Sequence, residues 1–153
     1  MKALTTTQQL DNCIMALFLW RTTVKPEQVV PGLRCFGISG TCGTLACFGG
    51  WLSTWKHFQK QGVRVLNEAG NRLAKATFPG APYMLDPERE LGLIGHPSEV
   101  ARHLFGRDDM FARNLGLMDD YSEVICRLEG QISALNAQKY EEEQSVRSYP
   151  HLG

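Results

Sequence analysis

The residues most capable of taking part in a reaction form a short block of cysteines and small side chains. Residues 42–51 have the sequence CGTLACFGGW. A cysteine in the first turn of a helix has its thiolate stabilised by unpaired backbone N–H groups, which lowers the thiol pKa and favours nucleophilic attack. Small residues instead let a second backbone approach closely. The block therefore fits two roles, a catalytic nucleophile or a packing element.

A catalytic role for Cys42 requires a base and a group that orients the base. Gly40-Thr41-Cys42-Gly43 at a helix start resembles the nucleophile helix of papain-like and transglutaminase-like cysteine hydrolases. The resemblance implies Cys42 as the nucleophile, His96 or His103 as the base and Asp108 or Asp109 as the orienting carboxylate. Those folds hold the histidine on a β-sheet, and the sequence predicts no sheet that could do so. A cysteine hydrolase is therefore the alternative to a non-enzymatic role.

A structural role for the block is the simpler interpretation. Buried free cysteines are common as small apolar fillers. Two glycines inside a helix cost about 1 kcal/mol each relative to alanine, and close approach of a second helix would offset that cost. We therefore predict structural roles for Cys42, Cys47, Gly49, Gly50 and Trp51.

Metal binding is a third option for the cysteines. Cys35, Cys42, Cys47 and His57 could be combined as ligands. The chain has no Cys-x-x-Cys or His-x-x-x-His pair that would pre-form half of a site. No metal and no other cofactor is therefore predicted.

Length and composition indicate an ordinary globular protein. The chain has 153 residues, of which 43% are hydrophobic, and is predicted to form one domain over residues 1–153. No apolar run approaches the roughly 18 residues that a membrane span requires, and the N-terminus lacks a signal-peptide pattern. Five cysteines, an odd number, favour free thiols in a reducing compartment. These observations predict a cytoplasmic protein without a membrane partner.

Charge is unevenly distributed although the net charge is zero. Residues 1–78 carry nine Lys/Arg and three Asp/Glu, and residues 79–153 carry seven and thirteen, so the two halves have net charges of +6 and −6. Either the halves pack together and neutralise each other locally, or the surface has a basic and an acidic pole. The second arrangement would favour head-to-tail association or a charged partner.

The N-terminal segment predicts an amphipathic helix. One of Thr5, Thr6 and Thr7 caps it, and Thr6 with Gln9 has capping-box spacing. Its apolar face is wide and is expected to pack into a core. The residues assigned to this face are Leu10, Ile14, Leu17 and Arg21 on one line, with Cys13, Phe18 and Trp20 beside it.

Two further segments are irregular or ambiguous. Residues 22–41 contain two prolines and three glycines and predict an extended loop, with a short strand or hairpin in 33–40 left open. Val63 and Val65 favour a strand. From about Leu66 we prefer a helix.

The block lies at the start of the second predicted helix. Apolar residues at helical spacing predict this helix over residues 42–61, with Gly62 as its terminator. It is predicted to pack on the first helix through Ala46, Gly49 and Gly50. The tryptophans of the two helices are expected in the core: Trp20, Trp51 and Trp55.

An internal repeat organises the C-terminal half. Residues 91–106 and 115–130 share eight of sixteen aligned residues, including Leu-Gly-Leu and Ser-Glu-Val. Each Leu-Gly-Leu suits a helix end and each Ser-Glu-Val a helix start, so two helix-turn-helix-like units are predicted, the first preceded by a helix that opens at residues 86–88. A long last helix follows. Its coiled-coil-like seam is Tyr121, Ile125, Leu128, Ile132 and Leu135.

These repeats differ from a DNA-binding helix-turn-helix. The spacing from Gly92 to Val100 is longer than that of the usual tight unit. Phosphate contacts require Lys and Arg on the docking face, and acidic residues outnumber basic ones in this segment. The available cations are Arg89, Arg102, Arg107 and Arg113. Direct readout of DNA is therefore disfavoured.

Three features together resemble a family of small helical proteins of bacteria and their phages. They are the block at residues 42–51, the pattern of Leu91-Gly92-Leu93 with Ala101 and Leu104-Phe105, and a closing helix over residues 122–132. The resemblance implies a helical fold and a phage or mobile-element setting. It implies no reaction. The segment between Gln61 and Leu91 is longer than the family's shorter forms.

The combined prediction is a mainly α, compact multi-helix domain with a C-terminal pair of helix-turn-helix-like repeats. We predict a non-enzymatic, phage-type accessory protein in the host cytoplasm. It would bind and modulate or inhibit a host macromolecule, such as a defence-system component. The predicted partner is a host or phage protein, a nucleoprotein complex included, and a homodimer is compatible with this role. The residues predicted to contact the partner are Arg34, Phe36, Glu88, Glu90, Asp108, Asp109, Asp119 and Asp120.

Overall fold

Two antiparallel helices, one near each end of the chain, form the framework of the fold. The computed structural model describes residues 3–29, 48–65, 82–85, 93–94, 97–111 and 119–147. In chain order the elements are α1 (Thr6–Thr23), a 3₁₀ turn (Pro26–Gln28), α2 (Phe48–Leu52), α3 (Lys56–Gln59), β1 (Val63–Val65), β2 (Pro82–Leu85), β3 (Leu93–Ile94), α4 (Pro97–Phe105) and α5 (Asp120–Arg147). The most extensive helix contacts join α1 to α5, and the next join α1 to α4.

The described part of the chain is mainly helical, as predicted. A small antiparallel sheet in the order β1-β2-β3 accompanies the helices and packs against α4 through β2. Val63 lies opposite Met84 in this sheet, and both side chains are fully buried. The strand preference of Val63 and Val65 is therefore confirmed. The helix preferred from Leu66 and the hairpin in 33–40 lie outside the described residues.

A capping box begins α1 one residue earlier than the predicted pair. The Thr5 hydroxyl accepts a hydrogen bond from the Gln8 N–H at 3.1 Å, and the Gln8 side chain accepts one from the Thr5 N–H at 2.8 Å. The predicted box of Thr6 and Gln9 is wrong because tertiary contacts occupy both side chains. The Thr6 hydroxyl donates to Glu142 of α5, and the Gln9 amide donates to carbonyls of α4.

The buried face of α1 is rotated from the predicted one. Leu10, Cys13, Ala16 and Trp20 are buried, which places them against α5 and α4. The prediction that Ile14 and Phe18 lie in the core is wrong, since their side chains are 50% and 60% exposed. The error arises because α1 has apolar residues around most of its circumference, so periodicity alone does not select one face.

The second predicted helix is interrupted by a turn between α2 and α3. The Ser53 and Thr54 hydroxyls donate to the Gly50 and Trp51 carbonyls, both at 2.6 Å. Such side chain to backbone bonds compete with helix propagation and favour a turn. Gly62 then ends the segment with a φ of 97°, as predicted. Residues 42–47 lie outside the described residues.

The predicted tight packing of α2 on α1 is not the main contact of α1. Gly49 and Gly50 are buried, but α1 packs chiefly on α5 and α4. The contact between α1 and α2 that the structure shows is an edge-on packing of the Trp20 and Phe48 rings, with centroids 5.3 Å apart. Large aromatic rings thus link these two helices, and a packing role for Gly49 and Gly50 stays a prediction. Ala46 lies outside the described residues.

The repeated Ser-Glu-Val motifs both lie at helix starts, as predicted, in α4 and α5. Leu93, expected at a helix end, instead belongs to β3. The two repeat glycines also differ. Gly106 follows α4 with a φ of 76°, whereas Gly130 lies inside the continuous α5. Residues 86–92 and 112–118 lie outside the described residues.

Aromatic side chains form much of the core between the helices. Phe48 and Phe58 each pack on Phe105 with ring centroids 5.9 Å apart. The Trp20 ring is fully buried and stacks on Tyr121 of α5. The core prediction is thus confirmed for Trp20. It holds also for Trp55, which is buried, while Trp51 is half-buried.

Replacing the capping residue tests the start of α1. We expect Thr5→Ala to lower the free energy of unfolding by about 1 kcal/mol, since it leaves the Gln8 N–H without its hydroxyl partner. Thr7→Ala is the matched control, because Thr7 is exposed within the same turn. Urea unfolding of both variants checks this. Equal midpoints for the two variants would contradict the cap assignment.

Candidate functional site

Side-chain amides satisfy the carbonyl groups at the C-terminal end of α4. A helix leaves its last four C=O groups without partners from within the helix. Gln9 donates to the Arg102 and His103 carbonyls at 3.3 Å, and Asn12 donates to the Leu104 carbonyl at 2.9 Å. The remaining carbonyl belongs to Phe105, and Gln131 of α5 donates to it at 2.7 Å. We call Gln9, Asn12 and Gln131 the amide cluster.

The amide cluster extends to α3 through Asn12. The Asn12 Nδ2 donates to the Leu104 carbonyl, which can only accept, so the Asn12 Oδ1 faces the other way. This oxygen accepts a hydrogen bond from Gln61 Nε2 and lies 2.8 Å from His57 Nε2. Since Oδ1 has no proton, His57 must donate from Nε2. The ring is thus held as a structural donor.

The environment of His57 favours its neutral form. Burial lowers its pKa below the ordinary value, and Lys60 lowers it further, while the Asp11 carboxylate opposes them in part. The ring also packs edge-on against Phe58 with centroids 4.8 Å apart. With Nε2 engaged by Asn12, His57 acts here in packing and hydrogen bonding. Its suggested metal partners Cys35, Cys42 and Cys47 lie outside the described residues.

The catalytic candidates are described only in part. Cys42 and His96 lie outside the described residues, so the proposed cysteine–histidine pair stays a prediction. His103 lies in the last turn of α4, partly buried, and its carbonyl is one of those that the amide cluster satisfies. The thiol of Cys13 is fully enclosed, and burial raises its pKa to about 12. A thiol so protected stays protonated and unreactive at neutral pH.

The acidic candidates after α4 have intramolecular partners. Asp108 pairs with Arg102 at 3.1 Å, and Asp109 pairs with Arg107 through both carboxylate oxygens. The hydrogen bond from Arg107 holds the pKa of Asp109 below its usual range. Both acids are therefore paired at the turn that follows α4, and their role in binding a partner stays a prediction.

Asp119 caps α5. Its carboxylate accepts hydrogen bonds from the Ser122 N–H and the Ser122 hydroxyl, both at 2.8 Å, and these bonds lower the pKa of Asp119. Asp120 is the first residue of α5. The remaining predicted contact residues lie outside the described residues: Arg34, Phe36, Glu88 and Glu90.

The surface of α1 opposite the core is apolar at its centre. Ile14, Met15 and Phe18 are 50%, 37% and 60% exposed. Asp11 and Arg21 lie on the same side of the helix, one turn to either end, and are also exposed. We call these five residues the outer face of α1. A ring exposed at the middle of a well-packed helix is a typical contact residue.

The sequence already contains a signal for the outer face, although periodicity assigned Ile14 and Phe18 to the core. From Leu10 to Trp20, α1 has more apolar residues than one buried stripe can accommodate. Some of them must therefore face outward in a helix this well formed. The same outward exposure occurs at two residues toward the end of α5, Tyr140 and Val146, which are 63% and 73% exposed.

Within the described residues, no three His, Cys, Asp or Glu side chains converge as metal ligands. In the same part of the chain, no helix combines the length and apolar composition needed to cross a bilayer. Comparison with protein-family models, curated proteins and solved structures finds no match to this chain.

Two glycines at equivalent repeat positions allow a matched test of the amide cluster. A Cβ on Gly106 would lie 2.9 Å from Gln9 Oε1 and 3.1 Å from Gln131 Nε2, and its φ is left-handed. We expect Gly106→Ala to destabilise the fold by about 1–2 kcal/mol. Gly130→Ala should stabilise it by about 0.5–1 kcal/mol, because its Cβ meets only Arg107 Nη1 at 3.9 Å within a helix.

Thermal unfolding of the two glycine variants provides the measurement. Opposite shifts of the unfolding midpoint support the arrangement around Gly106. A Gly106→Ala protein as stable as Gly130→Ala would show that the end of α4 is not held in this way.

The lowered pKa of His57 predicts a pH dependence of stability. The unfolded chain binds a proton at His57 more tightly than the folded chain, so the free energy of unfolding falls as pH drops below the ordinary pKa of 6.5. We expect His57→Gln, which keeps a donor near Asn12, to lose less stability over this range. Urea unfolding at a series of pH values measures the difference. A difference that does not change with pH would contradict the assignment.

Proposed function

We propose that this chain is a non-enzymatic interaction protein whose contact surface is the outer face of α1. The observation that supports this is the exposure of Ile14 and Phe18 at the middle of a helix whose opposite side is fully packed. An ordered helix presents these side chains in a fixed arrangement, so little conformational entropy is lost on binding.

The energetics of the outer face favour a binding role. Complete burial of a Phe or Ile side chain is worth about 1.5–3 kcal/mol, and more than half of that area remains available on Phe18. Asp11 and Arg21 supply a charged rim around this apolar centre. An apolar anchor within a polar rim is the usual anatomy of a protein–protein contact.

The described titratable groups support binding over catalysis. His57 donates to Asn12, Asp109 pairs with Arg107, and Asp119 caps α5. Each of these groups is engaged in holding the fold. None of them is presented together with an activated nucleophile within the described residues.

The biological setting proposed for this chain is a phage or another mobile element. The resemblance of residues 42–51 to a block in small phage and bacterial proteins supports an accessory protein of phage type. In such a setting the chain would act in the host cytoplasm, where it would bind and inhibit a protein such as a defence-system component.

Affinity capture tests this function. The tagged wild-type protein is immobilised and exposed to lysate of bacterial host cells that also express an untagged copy. We expect a retained protein, and we expect Phe18→Asp to release it because a carboxylate cannot be buried in an apolar contact. Retention should persist at high salt, since apolar contacts are not screened.

Val146→Asp is the matched control for this capture. Val146 is also apolar and even more exposed, but it lies near the end of α5, away from the outer face. It should retain the partner as the wild type does, and thermal unfolding should show both variants folded. Retention of no protein by the wild type, or equal retention by Phe18→Asp, would refute the proposed function.

A further inference from the structure

The outer face of α1 has a charge and shape pattern that complements itself. On the proposed function that this face binds a protein, we infer that its partner is a second copy of this chain. The two α1 helices would lie antiparallel across a two-fold axis. The observations that support this are the spacing of the four central residues, the signs of the two charges and the position of the apolar pair between them.

The spacing of the outer face is palindromic. Asp11, Ile14, Phe18 and Arg21 follow one another at intervals of three, four and three residues. Residues at such intervals share one side of a helix. An antiparallel copy centred at the level of Ala16 therefore places Ile14 opposite Phe18 of the second copy, and Asp11 opposite Arg21 of the second copy. A two-fold axis repeats each contact, as an isologous interface requires.

The charges select the antiparallel orientation. A parallel pair in register would bring Asp11 beside Asp11 and Arg21 beside Arg21, which like-charge repulsion disfavours. The antiparallel pair instead forms two Asp–Arg contacts. Arg21 already contacts Glu129 at 2.5 Å, yet its side chain remains 50% exposed. Its guanidinium therefore has donors available for a second carboxylate.

The apolar centre supplies the affinity of the dimer, and its small size limits that affinity. Ile14 and Phe18 would pack on Phe18 and Ile14 of the second copy, and the steps of three and four between the face residues let side chains of facing helices interlock. A standard interface uses roughly 20–30 residues a side, far more than this face offers. The dimer is therefore weak and concentration-dependent. Binding of a different protein would not require this symmetric spacing of residues on α1. The spacing therefore favours self-association.

Sedimentation equilibrium of the purified full chain over a concentration series tests the inference. The wild type should shift from monomer to dimer as concentration rises. Phe18→Asp should remain monomeric, and Lys56→Glu, an exposed charge reversal on α3, should behave as the wild type. A wild type that stays monomeric throughout, or a dimer that Phe18→Asp leaves intact, overturns the inference.

Charge reversal tests the orientation. Asp11→Arg alone and Arg21→Asp alone should each weaken the dimer by about tenfold, since each variant places two like pairs in contact. An equimolar mixture of the two should recover the wild-type association, because opposite charges then meet at both contacts. Damage to the fold could not be repaired by mixing. A mixture that stays as weak as its components overturns the antiparallel arrangement.

The proposed function and the proposed dimer fail in different ways. A wild type that is monomeric when pure, yet captures a host protein in a Phe18-dependent manner, refutes the second copy and keeps the proposed function. Capture of nothing, neither host protein nor untagged copy, together with a monomeric wild type, refutes both.

Discussion

The structure depends on how the C-terminal end of α4 is held between α1 and α5. The Arg102 carbonyl at that end accepts a backbone hydrogen bond from the Gly106 N–H, and the end lies against the core beside the buried Phe105 ring, where the other last carbonyls need side-chain donors. Three amide side chains from two other helices donate to these carbonyls. Loss of the Asn12 or the Gln131 donor would leave a buried carbonyl unpaired, which costs about 1–3 kcal/mol. The amide cluster therefore fixes the position of α4 and also stabilises its C-terminal end.

Packing around this end follows from the same constraint. The backbone must turn away immediately after Phe105, and Gly106 achieves this in a left-handed conformation with no room for a Cβ. Phe105 can then meet Phe48 and Phe58, so one ring connects α4 to both short helices. Asn12 extends the polar contacts to His57, which joins α3 to α1. Within the described residues, no buried side-chain nitrogen or oxygen lacks a hydrogen-bond partner.

The charged side chains of the described residues act mainly on groups in direct contact with them. The basic half and the acidic half meet along α1 and α5, where Arg21 contacts Glu129. Asp108 and Asp109 pair with arginines of their own half, and Asp119 is used as a helix cap. These contacts agree with local neutralisation more than with two separated poles, as far as the described residues extend. With these acids so occupied, the apolar centre of the outer face of α1, formed by Ile14, Met15 and Phe18, stays exposed.

Local features were determined by the sequence itself. Threonines near the start of α1, glycine at position 62, and valines at 63 and 65 act through their own backbone neighbours, so short patterns predict a helix, a turn and a strand, although they do not select Thr5 with Gln8 as the capping box. Only the tertiary structure decided which side of α1 is buried, that a turn separates α2 from α3, and that Gln9, Asn12 and Gln131 satisfy the end of α4 from two other helices. Burial depends on what the opposing surface offers. That surface is assembled from segments far apart in the chain, and no local pattern contains it.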